Sequence, residues 1–349
     1  MLWHTATAQD ARPATAARDF TCFVFSDIHL GTEHASAKPP VTADDTLKRV
    51  QSNLERMKAL VGQPFPKLGP LANLELGNIT APRGLFILGD LTDGHKDIAK
   101  RQEQWKSFED LFPSAGVLFG TRTIPVFASL GNHDGEAAGP TGQGLIRQHR
   151  ALQAAGQFAA LSENGLHYAL NWDGVHIVCV NLCPADTVDE ENLFRYGKPG
   201  KGSWNDPQGA MTFLRDYLRN RVGNSRQPVI LMQHYGFDGF SMNDWNWWTP
   251  RQRLAMYDLL KDYNVVAIVH GHNHHAEHYY WPDPKKHAAD IKAMFGDAPP
   301  ANLRRYDVIS CGGVCWVFRV KGQQFIAAHL RGPDWSKNAA DMVVKSLEQ

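Results

Sequence analysis

Eight polar side chains in this 349-residue sequence fall in short clusters suited to metal chemistry: Asp27 with His29, Asp90, Asn132 with His133, His234, and His272 with His274. Four of the histidines, the two aspartates and the asparagine are too many donors for one tetrahedral ion. They suit a pair of first-row transition ions, imidazole favouring Zn, Fe, Mn or Ni over Mg or Ca. In the i, i+2 pairs Asp27/His29 and His272/His274, an extended segment would present both side chains on one side. Gly89, Gly131 and Gly271 each precede a ligand candidate and are expected to let the backbone turn tightly there.

Something must carry these clusters to one place, and the apolar runs before them do. Phe20–Phe25 runs into Asp27, Leu85–Leu88 into Asp90, Ile124–Leu130 into Asn132, Val229–Met232 into His234, and Val265–Val269 into His272. Continuous apolar runs are the mark of strands covered on both faces. In open α/β sheets, ligands collect beyond the carboxyl ends of the strands. Leu166–Asn171 and Val175–Leu182 flank Asp173-Gly174 as a hairpin. Tyr306–Cys311, Cys315–Val320 and Phe325–Leu330 read as a closing meander. Helices fill the gaps: one capped by Thr42 with Asp45, one from Ile98 to Phe112, one opening at Asp206-Pro207 and one capped by Thr249 before Pro250. Gly62–Gly84 and Gly135–Gln143 read as loops. The glycine-rich Gly139–Gly144 reads as surface loop, because no strand runs directly into it as a phosphate cradle requires.

Read in chain order, the clusters are DIH, GD, GNHD, QH and GHNH. This order resembles the signature of the calcineurin-like metallophosphoesterase superfamily: D-x-H, G-D, G-N-H-[ED], a lone H and G-H-x-H. The resemblance spans about residues 20 to 330. It implies an α/β fold, a β-sandwich of two mixed sheets flanked by helices, and hydrolysis of phosphomonoesters or phosphodiesters. It implies two divalent or trivalent transition-metal ions (Mn, Fe, Zn or Ni). Asp27, His29, Asp90 and His274 would hold one, and Asp90, Asn132, His234 and His272 the other, with Asp90 bridging. Two ions roughly 3.5–4 Å apart clamp an in-line displacement and activate a water as nucleophile. His133 is the residue such enzymes leave off the metals, so it would act as general acid or stabilise the transition state. Asp93, three residues after the bridging aspartate, would orient His133.

Departures from the pattern narrow the subfamily. Protein Ser/Thr phosphatases carry GDxVDRG, whose arginine holds the phosphate; here Gly89–His95 has none. Purple acid phosphatases place a tyrosine where this chain has Asp93, and lack the histidine matched by His29. The substrate class stays open between nucleotide, lipid, sugar and inositol phosphates.

Weaker candidates surround the motifs. The run Tyr235-Gly236-Phe237-Asp238-Gly239-Phe240, followed by Trp245, Trp247 and Trp248, leaves a ligand candidate. Tyr235, Phe237 and Trp245 are the residues expected to wall a substrate pocket, the alternative being that they pack the loop onto the domain. His34 and His95 each follow a ligand candidate by five residues and are weighed as phosphate contacts. His270 is expected to face the core or support the ligands. His149, His167, His176, His287 and His329 show no partner pattern.

Composition bounds the remaining readings. Lys plus Arg and Asp plus Glu are 36 each, so no net field attracts nucleic acid or an anionic membrane. No apolar run reaches membrane-spanning length. The first residues contain no h-region, so no intact signal peptide is expected, and a cytoplasmic or an exported chain both fit. Of five cysteines, Cys22 and Cys179 read as small core residues, while pairing among Cys183, Cys311 and Cys315 stays open. The organisation expected is a flexible segment over 1–19, one metallophosphoesterase domain over 20–332, and a solvated tail over 333–349, helical from Asp334. The competing readings are a nuclease, which charge balance disfavours, and a non-catalytic binding scaffold on the same fold. Scaffolds of that kind usually lose ligand residues, and here all are present.

Overall fold

The apolar runs become strands whose alternate side chains face two different cores. The computed structural model describes residues 18–33, 36, 38–135, 137–181, 207–241, 248–297 and 299–348. Along the chain run β1 (Asp19–Phe25), α1 (Ala43–Leu60), β2 (Leu85–Leu88), α2 (Ile98–Leu111), the short pair β3 (Val117–Phe119) and β4 (Arg122–Ile124), β5 (Val126–Ser129) and α3 (Pro140–Ala154). Next come β6 (Ala160–Leu161), β7 (Tyr168–Trp172), β8 (Val175–Cys179), α4 (Ala210–Tyr217), β9 (Val229–Met232), α5 (Pro250–Leu260) and β10 (Val265–His270). Last are β11 (Glu277–Trp281), α6 (Ala288–Phe295), β12 (Tyr306–Ser310), β13 (Trp316–Lys321), β14 (Gln324–Arg331), β15 (Asp334–Trp335) and β16 (Val343–Ser346).

One sheet has the order β15-β14-β13-β1-β2-β5, with β16 pairing on β14; the other runs β11-β12-β10-β9-β8-β7-β6. Both are mixed. In the first, β1, β2 and β5 are parallel and β13 and β14 antiparallel. In the second, β8, β9, β10 and β12 are parallel, with β7 and β11 antiparallel beside them.

Cys22 and Val24 of β1 pack between the sheets with Phe86, Phe127, Ile177 and Met232. Their neighbours Phe23 and Phe25 turn the other way, under α1 and α2 through Met57 and Phe108. A third layer seats Val178, Leu231 and Ile268 beneath Leu214 of α4 and Met256 of α5. The result is the expected sandwich of two mixed sheets with helices outside. Thr42 and Thr249 cap their helices as the sequence suggests, each in a reciprocal capping box with Asp45 and Gln252; such a cap contributes about 1 kcal/mol.

Several elements depart from expectation. Residues 124–130 split, Ile124 ending β4 and Val126 starting β5. The closing meander is divided: β12 pairs in parallel with β10 in the second sheet, whereas β13 and β14 belong to the first. Alternation reports burial but not which sheet receives the strand. The glycine-rich stretch expected to be loop is instead the first turn of α3, with Pro140 at the opening position. Its Gly144 lies so close to Trp105 of α2 that a β-carbon would overlap the indole. The tail from Asp334 is not a solvated helix: β16 pairs with β14, and Met342, Val343 and Leu347 are buried. Its apolar residues are too few to show periodicity, yet they close an open sheet edge. Of the segment expected to be flexible, 1–17 and Asp206 of the third helix start lie outside the described residues, while Asp19 opens β1. Cys22, Cys179, Cys311 and Cys315 are free buried thiols, and Cys183 lies outside the described residues. No helix among the described residues is long and apolar enough to cross a membrane.

Candidate metal centre

Parallel pairing sends the carboxyl ends of β1, β2 and β5 to one edge of the first sheet, and those of β9 and β10 to one edge of the second. The two edges meet. Asp27 accepts the backbone N–H of His272 at 3.0 and 3.2 Å, and Nδ1–H of His234 donates to Leu88 O at 2.8 Å, so each sheet's loops are tied to the other's.

Donor atoms of Asp27, His29, Asp90 and His274 all lie within 4.8 Å of one another, a group able to hold a metal ion. Nε2 of His29 and of His274 face each other at 3.2 Å, and His274 Nε2 is 3.5 Å from Asp27 Oδ1. Beside them, Asn132 Oδ1 lies 3.1 Å from His234 Nε2 and 2.9 Å from His272 Nδ1. Asp90 reaches both groups. Its Oδ2 is 3.6 Å from His29 Nε2 and 3.3 Å from His234 Nε2, while Oδ1 accepts the His133 backbone N–H at 2.9 Å.

The backbone is bent to achieve this. Among the described residues eight non-glycine residues have positive φ, and five are Asp27 (55°), His29 (46°), Asp90 (50°), His272 (74°) and His274 (56°). The i, i+2 pairs therefore converge through left-handed conformations rather than along extended segments. Each such residue costs about 1–3 kcal/mol and persists only where the surroundings over-determine it. Of the glycines before the ligand candidates, Gly89 takes a positive φ (79°), whereas Gly131 and Gly271 do not and serve close approach instead. A β-carbon on Gly131 would run into the Asp90 carboxylate and sit 2.7 Å from His234 Nε2; one on Gly271 would sit 2.8 Å from Asp27 Oδ2.

Charge explains why the donor set suits a cation. Burial alone would raise the Asp90 carboxyl, but the imidazoles of His234, His133 and His29 hold it well below the usual range. Burial would lower His234, yet Asp90 pushes it up to about 9. His29 is likewise raised against its burial by Asp93, Asp90 and Asp27. His272 goes the other way, lowered first by its burial; the more open His274 is lowered too, by partial burial and by the neighbouring His29. The carboxylates thus draw positive charge onto the His234 ring and favour it on His29, a position that transition-metal ions can take over. Two ring nitrogens turned toward each other beside two carboxylates fit such an ion well.

His133 is not in the group of Asp27, His29, Asp90 and His274, but its donor atoms lie within 4.8 Å of those of His29 and Asp93, a second group able to hold a metal ion. Its Nδ1–H donates to the backbone carbonyl of Asp93 at 3.1 Å, and its ring meets that of His29 edge-on with centroids 4.6 Å apart. The Asp93 carboxylate is nearer His29 Nδ1 (3.3 Å) than His133 Nδ1 (3.6 Å). Asp93 therefore orients His133 through its main chain and His29 through its side chain.

The weaker candidates fare unevenly. His34 and Trp245 lie outside the described residues. His95 accepts the Asp97 N–H at 2.9 Å, shaping the entry to α2. Phe237 is fully buried, stacked at 3.8 Å on Trp281 and 4.9 Å from Trp248, so it packs the loop and does not wall a pocket. Tyr235 is buried against the His272 ring at 4.9 Å. His270 is buried as expected, its Nε2 2.8 Å from Tyr279 Oη.

Two contributors escaped the sequence reading. Asp134, the last residue of GNHD, is buried and accepts N–H groups from Leu91 (3.1 Å), Thr92 (2.8 Å) and Gly131 (2.8 Å). Burial and the Asp90 charge push its carboxyl up to about 6. Arg49 of α1 donates to Ile28 O at 2.8 Å, bracing the backbone between Asp27 and His29. Asp134 was discoverable as the acidic end of its motif; Arg49 had no signal beyond its helix.

A model of the calcineurin-like phosphoesterase family matches residues 20–276. No curated protein matches the chain. Three similar solved structures are GAP50, the anchor in the inner membrane complex of Plasmodium (12% identity, TM-score 0.46, covering 95% of this chain and 89% of that one); the calcineurin-like phosphoesterase YfkN from Bacillus subtilis (14%, TM-score 0.37, 95% and 92%); and phosphopantetheinyl hydrolase from Mycobacterium tuberculosis (14%, TM-score 0.39, 85% and 91%).

Proposed function

The chain belongs to the calcineurin-like phosphoesterase family, and from that premise we propose that it hydrolyses phosphomonoester or phosphodiester bonds of a small molecule at a centre of two transition-metal ions. One observation carries the reading. A single oxygen of Asp90 lies within 3.6 Å of a nitrogen in each donor group, 3.6 Å from His29 and 3.3 Å from His234. Asp27, His29, Asp90 and His274 would hold one ion, and Asp90, Asn132, His234 and His272 the other. When bound, such a pair supplies Lewis acidity toward phosphoryl oxygens and a deprotonated water near neutral pH.

The chain's own residues arrange the rest. The Leu88 carbonyl fixes the tautomer and ring plane of His234, leaving Nε2 toward Asp90. The Asp93 carbonyl holds His133 through Nδ1–H, leaving Nε2 as the ring nitrogen that would pass a proton to the leaving oxygen when the ring is in its imidazolium form. The test is a panel of phosphomonoesters and phosphodiesters assayed with Mn, Zn, Ni, Fe and Mg. Turnover with at least one ester and a transition ion is expected, and its absence across the whole panel would overturn the reading.

A further inference from the structure

The loop leaving His234 presents a half-exposed aromatic residue, Phe240. Five large apolar side chains are exposed by more than a third among the described residues: Leu68, Ile98, Leu118, Phe240 and Tyr280. Of these, Phe240 has a ring contact with a metal-ligand candidate, its centroid 5.1 Å from that of His272. Phe240 remains 46% exposed. The His272 imidazole is thus flanked by buried Tyr235 at 4.9 Å and by half-open Phe240.

This exposure is built into the loop. The buried Asp238 carboxylate accepts N–H from Phe240 at 2.9 Å and from Ser241 at 3.0 Å, and the Ser241 hydroxyl at 2.7 Å. Phe237 N–H donates to Tyr279 Oη at 3.0 Å, with the Phe237 ring locked against Trp281. Gly236 lies against His270, where a β-carbon would overlap the ring. These contacts fix the backbone on which Phe240 stands, and the ring lies half-exposed beside the donor groups. An aromatic surface pre-set in this way binds another planar ring at little ordering cost.

We propose that Phe240 is a specificity-determining residue, stacking on a planar aromatic or heteroaromatic group carried close to the phosphorus of the substrate. The inference rests on the phosphoester reading and narrows its substrate class to aryl or nucleobase-bearing esters over small alkyl ones. The competing role is a cover that merely shields His272 from solvent, and the two roles separate experimentally.

Isothermal titration of the Mn-loaded protein with phenylphosphonate and methylphosphonate measures ring recognition without turnover. Stacking of this kind corresponds to roughly a tenfold gain in affinity, so phenylphosphonate should bind the wild type about that much more tightly. Phe240→Ala should abolish the preference by weakening phenylphosphonate alone, with metal content unchanged, and Phe240→Tyr should restore it. A preference that survives Phe240→Ala, or is absent from the wild type, overturns the inference while leaving the phosphoester reading intact. Loss of metal in Phe240→Ala with both ligands weakened equally makes Phe240 a cover and overturns it too. If neither phosphonate binds and no ester is turned over, the phosphoester reading falls and the inference with it.

Discussion

The carboxylate of Asp134 holds the backbone N–H of Thr92 at 2.8 Å across 42 positions of sequence. The same carboxylate takes N–H groups from Leu91 and Gly131. The loop that presents Asp90 and the loop that presents Asn132 are therefore joined through one buried side chain, so the spacing of the two donor groups depends on it.

Asp134→Ala leaves three buried N–H groups without that acceptor. Each orphaned donor costs about 1–3 kcal/mol, partly offset by removing a buried carboxylate that Asp90 repels, so urea unfolding of the metal-free protein should show a net loss on the order of 1–3 kcal/mol. Metal content should fall with it. Unchanged unfolding would show that the two loops are held by something else.

Two metal ions per chain are expected from the paired donor groups. Metal analysis of protein purified without chelator, or reconstituted, should return a ratio near two. A reproducible ratio below one after reconstitution would remove the dinuclear reading.

Loss of Asp90 should outweigh loss of any single terminal ligand. Asp90 is buried and faces both groups, whereas the His274 side chain is 57% exposed and faces one. Asp90→Asn should abolish turnover and lower the occupancy of both ions; His274→Ala should lower one. Near wild-type turnover and full metal content in Asp90→Asn would end its assignment as bridge.

His133→Ala should keep both metals and the fold while losing roughly 10²–10⁴ in kcat, the usual worth of a positioned acid. The loss should shrink for good leaving groups such as p-nitrophenol and grow for alkyl esters. An equal loss across the series would assign His133 to charge stabilisation instead, and loss of metal would make it a ligand.

His149 gives a pH prediction independent of the metal centre. Burial pushes its folded pKa down to about 4, against about 6.5 in an unfolded chain, outweighing the carbonyls of Gly165 and Ala128 at its two ring nitrogens, which favour the proton. Between those values the unfolded chain takes up the proton, so stability is lost as pH falls from about 6.5 to about 4, by at most roughly 3 kcal/mol. His149→Gln, which cannot titrate, should be less stable near neutral pH, with the difference shrinking toward pH 4. A difference independent of pH would show that His149 does not titrate across this window.

The sequence alone determined which residues meet. Asp27, Asp90, Asn132, His234 and His272 each lie within three residues of an apolar run, and parallel pairing of such runs leaves little choice about where their ends go. The signal is local, because it needs only an unbroken apolar run and the few polar residues at its carboxyl end. His133 was separable from the donors only through the family's pattern.

Tertiary structure decided what depended on partners distant in the chain. No periodicity shows that Asp134 serves Thr92, that β12 leaves β13 for the other sheet, or that β16 closes on β14. The left-handed φ at Asp27, His29, Asp90, His272 and His274 runs against local preference, and only the converging loops can hold it there. Among the aromatics after His234, the sequence reading put Phe237 and not Phe240 at the pocket wall, with no local signal to separate them. Packing against Trp281 buried one, and the turn at Asp238 kept the other in water, because burial is a property of neighbours rather than of residue type.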